Sequence, residues 1–391
     1  MPLAMQARIF WHHRIEGMTE MSDHIEAFFA PFEYKALKLR NRVAMSPMTR
    51  YFSPDGLANE DVAAYYQRRA EGGAGLIISE GIFPDREIAR NQENIPWFDG
   101  ERRTPWQKVI DDVHAAGARM APQIWHVGGA RDFNFPESPL GDELESPSGL
   151  YGPDMAGGRE MTEEDIADVA ASFARAAKEM QAMGFDAIEF HGGHGYIFDQ
   201  YFWTATNKRS DRYGGATIGE RTRFATEVIR ATREAVGEDF VLFFRLSQWK
   251  TNAYDARIAD SPAELEQWVC PLVDAGVDIF DCSQRRFWET EFAGSDLNLA
   301  GWVKKLTGQP TMTVGSIGLA TDLMKDFETG ALSAPTPSTI EQVAERLDRG
   351  EFDLVAVGRA MLADAQWSNK VRDRRFHELK GYSVELMKTL V

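Results

Sequence analysis

The chain has 391 residues, 43% of them apolar and 26% charged, a globular composition with length for one large barrel or two ordinary domains. Its 43 basic and 60 acidic residues leave a net charge of −17, which argues against nucleic acid or an anionic membrane surface as a partner. Only Cys270 and Cys282 occur, without CxxC spacing, so no disulfide framework, zinc site or iron–sulfur cluster is expected, and a reducing cytoplasmic setting fits.

Residues 1–22 are interrupted by Arg8, His12, His13, Arg14 and Glu16, which rules out the apolar core of a signal peptide. They read as a poorly ordered extension preceding one domain over 23–391. No stretch reaches the roughly eighteen apolar residues of a membrane span. The first predicted strand, 42–47, runs into Ser46-Pro47-Met48-Thr49-Arg50, and the second, 74–79, into Ser79-Glu80-Gly81. The third, 118–124, delivers Gln123 and then Trp125-His126. A Pro-rich segment, 132–160, comes next as a lid or a plain surface excursion. Thr162-Glu163-Glu164-Asp165 looks like a capped helix start, with Ile166, Val169, Phe173, Ala176, Ala177 and Met180 at helical spacing.

The fourth strand, 186–191, opens into His191-Gly192-Gly193-His194-Gly195-Tyr196. Glycines let the backbone turn tightly, and two imidazoles and a phenol then suit catalysis on a polarised oxygen. The fifth strand, 240–246, ends in Arg245, a charge its apolar run does not need, and a helix starts near Ser261-Pro262. Further strands are predicted at 277–282, 311–315 and 353–357, the last two ending in Gly315-Ser316-Ile317-Gly318 and Gly358-Arg359.

Eight strand–helix alternations predict a (β/α)8 barrel, a single domain with loop excursions. The competing doubly wound sheet usually carries a GxGxxG turn after its first strand, and none is present there. Polar residues collect at the predicted C-terminal mouth, where this fold puts its active site. Gly315, Ser316 and Gly358 supply backbone N–H groups, and Arg359 a bidentate cation, for a phosphate at the strand-seven and strand-eight ends. Gln123 can read an amide edge, Thr49 adds a hydroxyl, and Arg245 can neutralise charge developing on a bound ring. A flavin mononucleotide satisfies that combination ahead of other phosphate-bearing ligands.

These residues resemble the Old Yellow Enzyme family of flavin-dependent oxidoreductases. The likeness is densest from Met161 to Gly237, through His191-Gly192-Gly193-His194-Gly195-Tyr196, Asp199-Gln200 and Asn207-Lys208-Arg209-Ser210-Asp211-Arg212-Tyr213-Gly214-Gly215. It extends from about Pro31 to Trp367. The resemblance implies a barrel holding FMN, NADH or NADPH as reductant, and reduction of a carbon–carbon double bond conjugated to an electron-withdrawing group. It implies that His191 and His194 bind the substrate carbonyl oxygen and that Tyr196 supplies the proton after hydride transfer from the flavin. Ser46, Pro47, Met48, Thr49, Gly81, Gln123, Arg245, Gly315, Ser316, Gly358 and Arg359 are the implied cofactor contacts, with no metal ligand among them. A small activated alkene is the implied partner, without nucleic acid or membrane, and homo-oligomer formation is compatible with it.

The chain departs from the family pattern at Gly129, where Arg is common, at Tyr201-Phe202-Trp203-Thr204-Ala205-Thr206, and over 319–340, which looks long. These changes are expected on loops that set substrate range. Trp125, Trp203 and Trp288 are candidate pocket walls, with packing the commoner use of large aromatics. Two rival readings stand beside the ene-reductase. One is a metal-dependent hydrolase or lyase using His191 and His194, for which further ligands are not identifiable. The other is a non-catalytic flavin-binding protein.

Overall fold

The computed structural model describes residues 24–130 and 144–391; the expected extension over 1–22 and the first part of the 132–160 excursion lie outside the described residues. Eight parallel strands close a barrel in sequential order: β1 Val43–Met45, β2 Leu76–Ile82, β3 Arg119–Ile124, β4 Ala187–His191, β5 Val241–Leu246, β6 Ile279–Ser283, β7 Thr311–Val314 and β8 Leu354–Val357. Each lies within its predicted span or overruns it by a few residues at one end. Long crossover helices separate them: α1 Glu60–Glu71, α2 Pro105–Ala115, α3 Glu163–Met183, α4 Arg223–Val236, α5 Pro262–Ala275, α6 Leu299–Thr307 and α7 Pro337–Asp348. Parallel neighbours cannot be joined by a tight hairpin, so each connection must cross over, and helices are the compact way to do it.

The alternation of side chains along each strand builds two cores. On β5, Leu242, Phe244 and Leu246 face the helices, while Val241 and Phe243 face the barrel interior with Ala44, Ile78, Ala121, Ala187, Ile279 and Met312. A short antiparallel pair, Phe32–Tyr34 with Leu37–Leu39, adds Phe32, Leu37 and Leu39 to that interior cluster and closes it from the N-terminal side. The bottom is therefore an apolar plug, and polar chemistry is left to the opposite mouth. Among the described residues no helix is long and apolar enough to cross a membrane.

α3 begins as its sequence predicts: Thr162 Oγ1 accepts from the Asp165 N–H at 3.2 Å, and the Asp165 carboxylate accepts from the Thr162 N–H at 2.8 Å. The same carboxylate anchors the described part of the excursion. Arg159 donates to Asp165 at 2.6 and 2.7 Å and to the buried Glu145 at 2.8 Å, and Arg86 reaches Glu145 at 2.6 Å. Residues 144–160 form two small strand pairs, Glu145–Ser146 with Arg159–Glu160 and Leu150–Gly152 with Met155–Ala156.

Arg159 holds the Asp165 carboxyl well below the usual carboxylate range, against a smaller opposing effect of burial. Burial pushes Glu145 up, but hydrogen bonds and charge from His126 and Arg86 outweigh it and the net shift is downward. Carboxyls held low stay ionised in the folded chain while the unfolded chain takes up protons. Their stabilisation is complete above roughly pH 5 and disappears as pH falls through the folded values. The urea midpoint is therefore expected to drop between about pH 5 and pH 3, and Arg159→Met should flatten that drop. An equal slope in both proteins would show that this cluster does not govern acid stability.

Candidate active site

The strand ends converge on a cavity of about 290 Å³ at the C-terminal mouth. Ser46, Pro47, Met48 and Thr49 enter from the end of β1, Arg245 from β5, Gly315 and Ser316 from β7, and Gly358 and Arg359 from β8. His191, His194 and Tyr196 enter from the turn after β4. That turn is dictated by its glycines. A Cβ on Gly192 would lie 2.2 Å from the Phe244 ring and one on Gly193 2.7 Å from Ser247 Oγ, so only glycine lets it press against β5. His194 then takes a left-handed φ of 65° and its N–H donates to Ser247 Oγ at 2.9 Å.

The three functional rings form one cluster. His191 Nε2 and His194 Nδ1 are 3.0 Å apart, and His194 Nε2 lies 2.9 Å from Ser283 Oγ. The Tyr196 ring packs 4.7 Å from His191 and 4.8 Å from Trp125, and Trp249 covers His194 at 4.3 Å. Burial, reinforced by the positive charge of Arg245, holds both imidazoles well below their ordinary pKa. They are thus neutral, each with one N–H to donate and one lone pair. His191 Nδ1 is buried without a hydrogen-bond partner among the described residues.

The charge pattern of the cavity is the reverse of the protein's. In a chain of net charge −17, the described residues of its lining include Arg245, Arg285 and Arg359 and no carboxylate. Such a lining suits an anionic ligand. At the β7 end, a Cβ on Gly315 would meet the Gln284 carbonyl oxygen at 2.8 Å, and Ser316 adopts a φ of 54°. Arg359 donates to Ser316 Oγ at 3.1 Å and to the Thr321 carbonyl at 2.9 Å and is ion-paired with Asp326. Apolar walls from Pro47, Met48, Leu319, Leu323 and Met387 add room for a flat ring. The donor set and these walls fit FMN. Serine, glycine and Arg359 would hold the phosphate, and Arg245 would stand toward the ring system.

Two expected cofactor contacts are not on this lining. Gly81 is covered by Trp125, whose Cε3 would lie 2.3 Å from a Cβ there, so this glycine makes room for an indole. The Gln123 amide is occupied lower in the barrel, donating to Glu189 Oε1 at 2.8 Å. The 201–206 departure is not a pocket loop at its start: Tyr201 and Phe202 end a short helix, Ile197–Phe202, and are fully buried. Tyr201 stacks on Phe224 at 4.0 Å and Phe202 packs on Trp268. The 319–340 stretch also contains a helix, Leu323–Thr329, which brings Asp326 to Arg359 and Leu323 and Phe327 to the cavity.

Several lining residues are not singled out by the sequence, among them Trp249, Tyr254, Ser283, Arg285 and Tyr382. Ser283 ends β6 and Arg285 stands two residues beyond it, so for these two the end of a predicted strand is itself the signal. Among the described residues no group of three or more His, Cys, Asp or Glu side chains could hold a metal ion.

Residues 27–378 match the NADH:flavin oxidoreductase / NADH oxidase family. A metal reductase of Desulforamulus reducens is 30% identical over 88% of this chain and 48% of its own length. An NADH oxidase of Thermoanaerobacter brockii is also 30% identical, over 91% of this chain and 52% of its own. The chain thus spans about half the length of these two relatives. Morphinone reductase, solved in complex with tetrahydroNAD, superposes with a TM-score of 0.75 at 24% identity, over 92% of this chain and 94% of that one.

Behind the imidazole turn lies a fully buried ion pair. Lys250 Nζ is 3.0 Å from Asp199 Oδ1, and Asp199 Oδ2 accepts from the Gly195 N–H at 2.7 Å. Burial pushes Asp199 up to about 6 despite the lysine beside it. Lys250→Met strands that carboxylate and is expected to cost about 3 kcal/mol in urea unfolding, with part recovered in Lys250→Met/Asp199→Asn. A single-variant loss below about 1 kcal/mol would mean that the pair does not hold the turn.

Proposed function

Since the chain belongs to the NADH:flavin oxidoreductase / NADH oxidase family, that of the Old Yellow Enzymes, we propose that it uses NADH or NADPH to reduce the C=C bond of α,β-unsaturated carbonyl compounds or related activated alkenes. The observation that carries the proposal is the convergence of His191, His194 and Tyr196 on a cavity whose described lining holds three arginines and no carboxylate. FMN bound there would supply hydride transfer, taking hydride from the nicotinamide and passing it to the β-carbon of the alkene.

The protein's own part is orientation, electrostatics and one proton. The substrate oxygen gains negative charge as hydride reaches the β-carbon. Donors already fixed at that oxygen therefore bind the transition state better than the ground state. His191 and His194 are neutral, so an N–H of the pair, turned from its present partner to that oxygen, donates without presenting a full charge that would bind any anion indiscriminately. Tyr196, held between Trp125 and His191, gives its phenolic proton to the α-carbon and recovers one from water. Hydride and proton together account for the two hydrogens added across the double bond.

Tyr196→Phe keeps the ring packing and removes only the proton. It is expected to slow enone reduction about 100-fold or more in stopped flow, while flavin reduction by NADPH changes less than about threefold. Equal loss in the two half-reactions would remove Tyr196 from the proton-donor role.

A further inference from the structure

The inward-facing apolar positions of four adjacent strands are followed, one step nearer the mouth, by Gln123 on β3, Glu189 on β4, Arg245 on β5 and Asp281 on β6. Gln123 is in register with Glu189, and Arg245 with Asp281. Glu189 and Asp281 are fully buried, and Arg245 is 5% exposed. This polar layer separates the apolar plug from the cavity, and the proposed reaction gives its acids no part.

Its hydrogen bonds do not close if both acids are ionised. Gln123 Nε2 donates to Glu189 Oε1 at 2.8 Å, which makes Oε1 the accepting, carbonyl-like oxygen. Glu189 Oε2 then has no partner, nor do the Asp281 oxygens have an aligned donor, although Arg245 Nη1 lies 3.0 Å from Asp281 Oδ2. The two carboxyl groups nevertheless meet each other in a hydrogen-bonding contact. Two carboxylates cannot bond to one another without a proton between them, and one on Glu189 Oε2 supplies it. The charge count agrees, since one guanidinium balances only one of two fully buried carboxyls. Burial, and next the facing Asp281, push Glu189 well above the usual carboxylate range.

We propose that Glu189 is kept as a neutral acid that donates to Asp281, leaving Asp281 as the single negative charge that anchors Arg245 at the cavity. Arg245 meanwhile donates to Ser46 Oγ at 3.1 Å and to Ser283 Oγ at 3.3 Å, both on the cavity lining. Glu189 is a positioning residue: it never reaches the cavity but determines how much of the Arg245 charge remains uncompensated there. The consequence for the flavin rests on the proposal that the cavity holds FMN. An Arg245 balanced by one carboxylate rather than two sets the relative affinity for reduced and oxidised FMN, and hence its midpoint potential.

The test uses the flavin-loaded protein, Glu189→Gln, which keeps an acceptor toward Gln123 and a donor toward Asp281, and Glu189→Gln/Asp281→Asn, which leaves Arg245 unpaired. Infrared spectroscopy should show a protonated-carboxyl C=O band that Glu189→Gln abolishes. The Glu189→Gln midpoint potential should match the unmodified protein. The double variant should favour reduced FMN at least tenfold more strongly, a rise of about 30 mV for the two-electron couple. Persistence of the band in Glu189→Gln, or a rise in that single variant equal to the double variant's, would overturn the assignment. Should the double variant fail to fold, the infrared comparison decides alone. A protein that binds no FMN would defeat the cofactor reading instead, and the carboxyl band would still decide the state of Glu189.

Discussion

A guanidinium inside a barrel has to be compensated, and much of the mouth of this protein is arranged around that requirement. Arg245 comes from β5 because alternation along the strand turns it inward above Val241 and Phe243. Its partners come from other strands: Asp281 from β6, Ser46 from the end of β1, and Ser283 from the end of β6. Ser283 in turn touches His194, and His194 touches His191. The cation that would face the flavin and the imidazoles that would face the substrate are thus members of one hydrogen-bonded chain. The same positive charge helps keep both imidazoles neutral.

Close packing of backbone against backbone gives this arrangement its rigidity. Gly192 and Gly193 bring the imidazole turn onto β5, Ser247 fixes the His194 N–H, and the Lys250–Asp199 pair fixes the Gly195 N–H. A catalytic group on a loop is only as well placed as the scaffold that holds the loop. Here the loop is tied at successive residues, and Trp125 and Trp249 pack on the rings from two sides.

The range of an interaction along the chain decides whether the sequence reveals it. The eight strands are legible because each is a short apolar run bounded by turn residues, and their ends point to the mouth. His191, His194 and Tyr196 are legible because their glycine spacing is local. Lys250 is not singled out by the sequence, and its burial depends on Asp199, 51 residues away in the chain. Glu189 reads as the polar member of an apolar strand, and its meeting with Asp281 is set by barrel closure. Gly81 reads as a ring contact, but its lack of a side chain is used by Trp125. The 319–340 stretch reads as a loop from its Pro, Ser and Thr content, whereas Asp322 caps a helix there by accepting from the Lys325 N–H.

On this reading the arginine-lined cavity holds a flavin that cycles between a nicotinamide and an activated alkene. Anaerobic titration of the purified protein with NADPH and then 2-cyclohexenone, followed by visible absorption, tests it most directly. A flavin band that bleaches with NADPH and returns with the enone is the expected result. A protein that takes up no FMN, or a bound flavin that bleaches with NADPH but is not reoxidised by the enone, would contradict it.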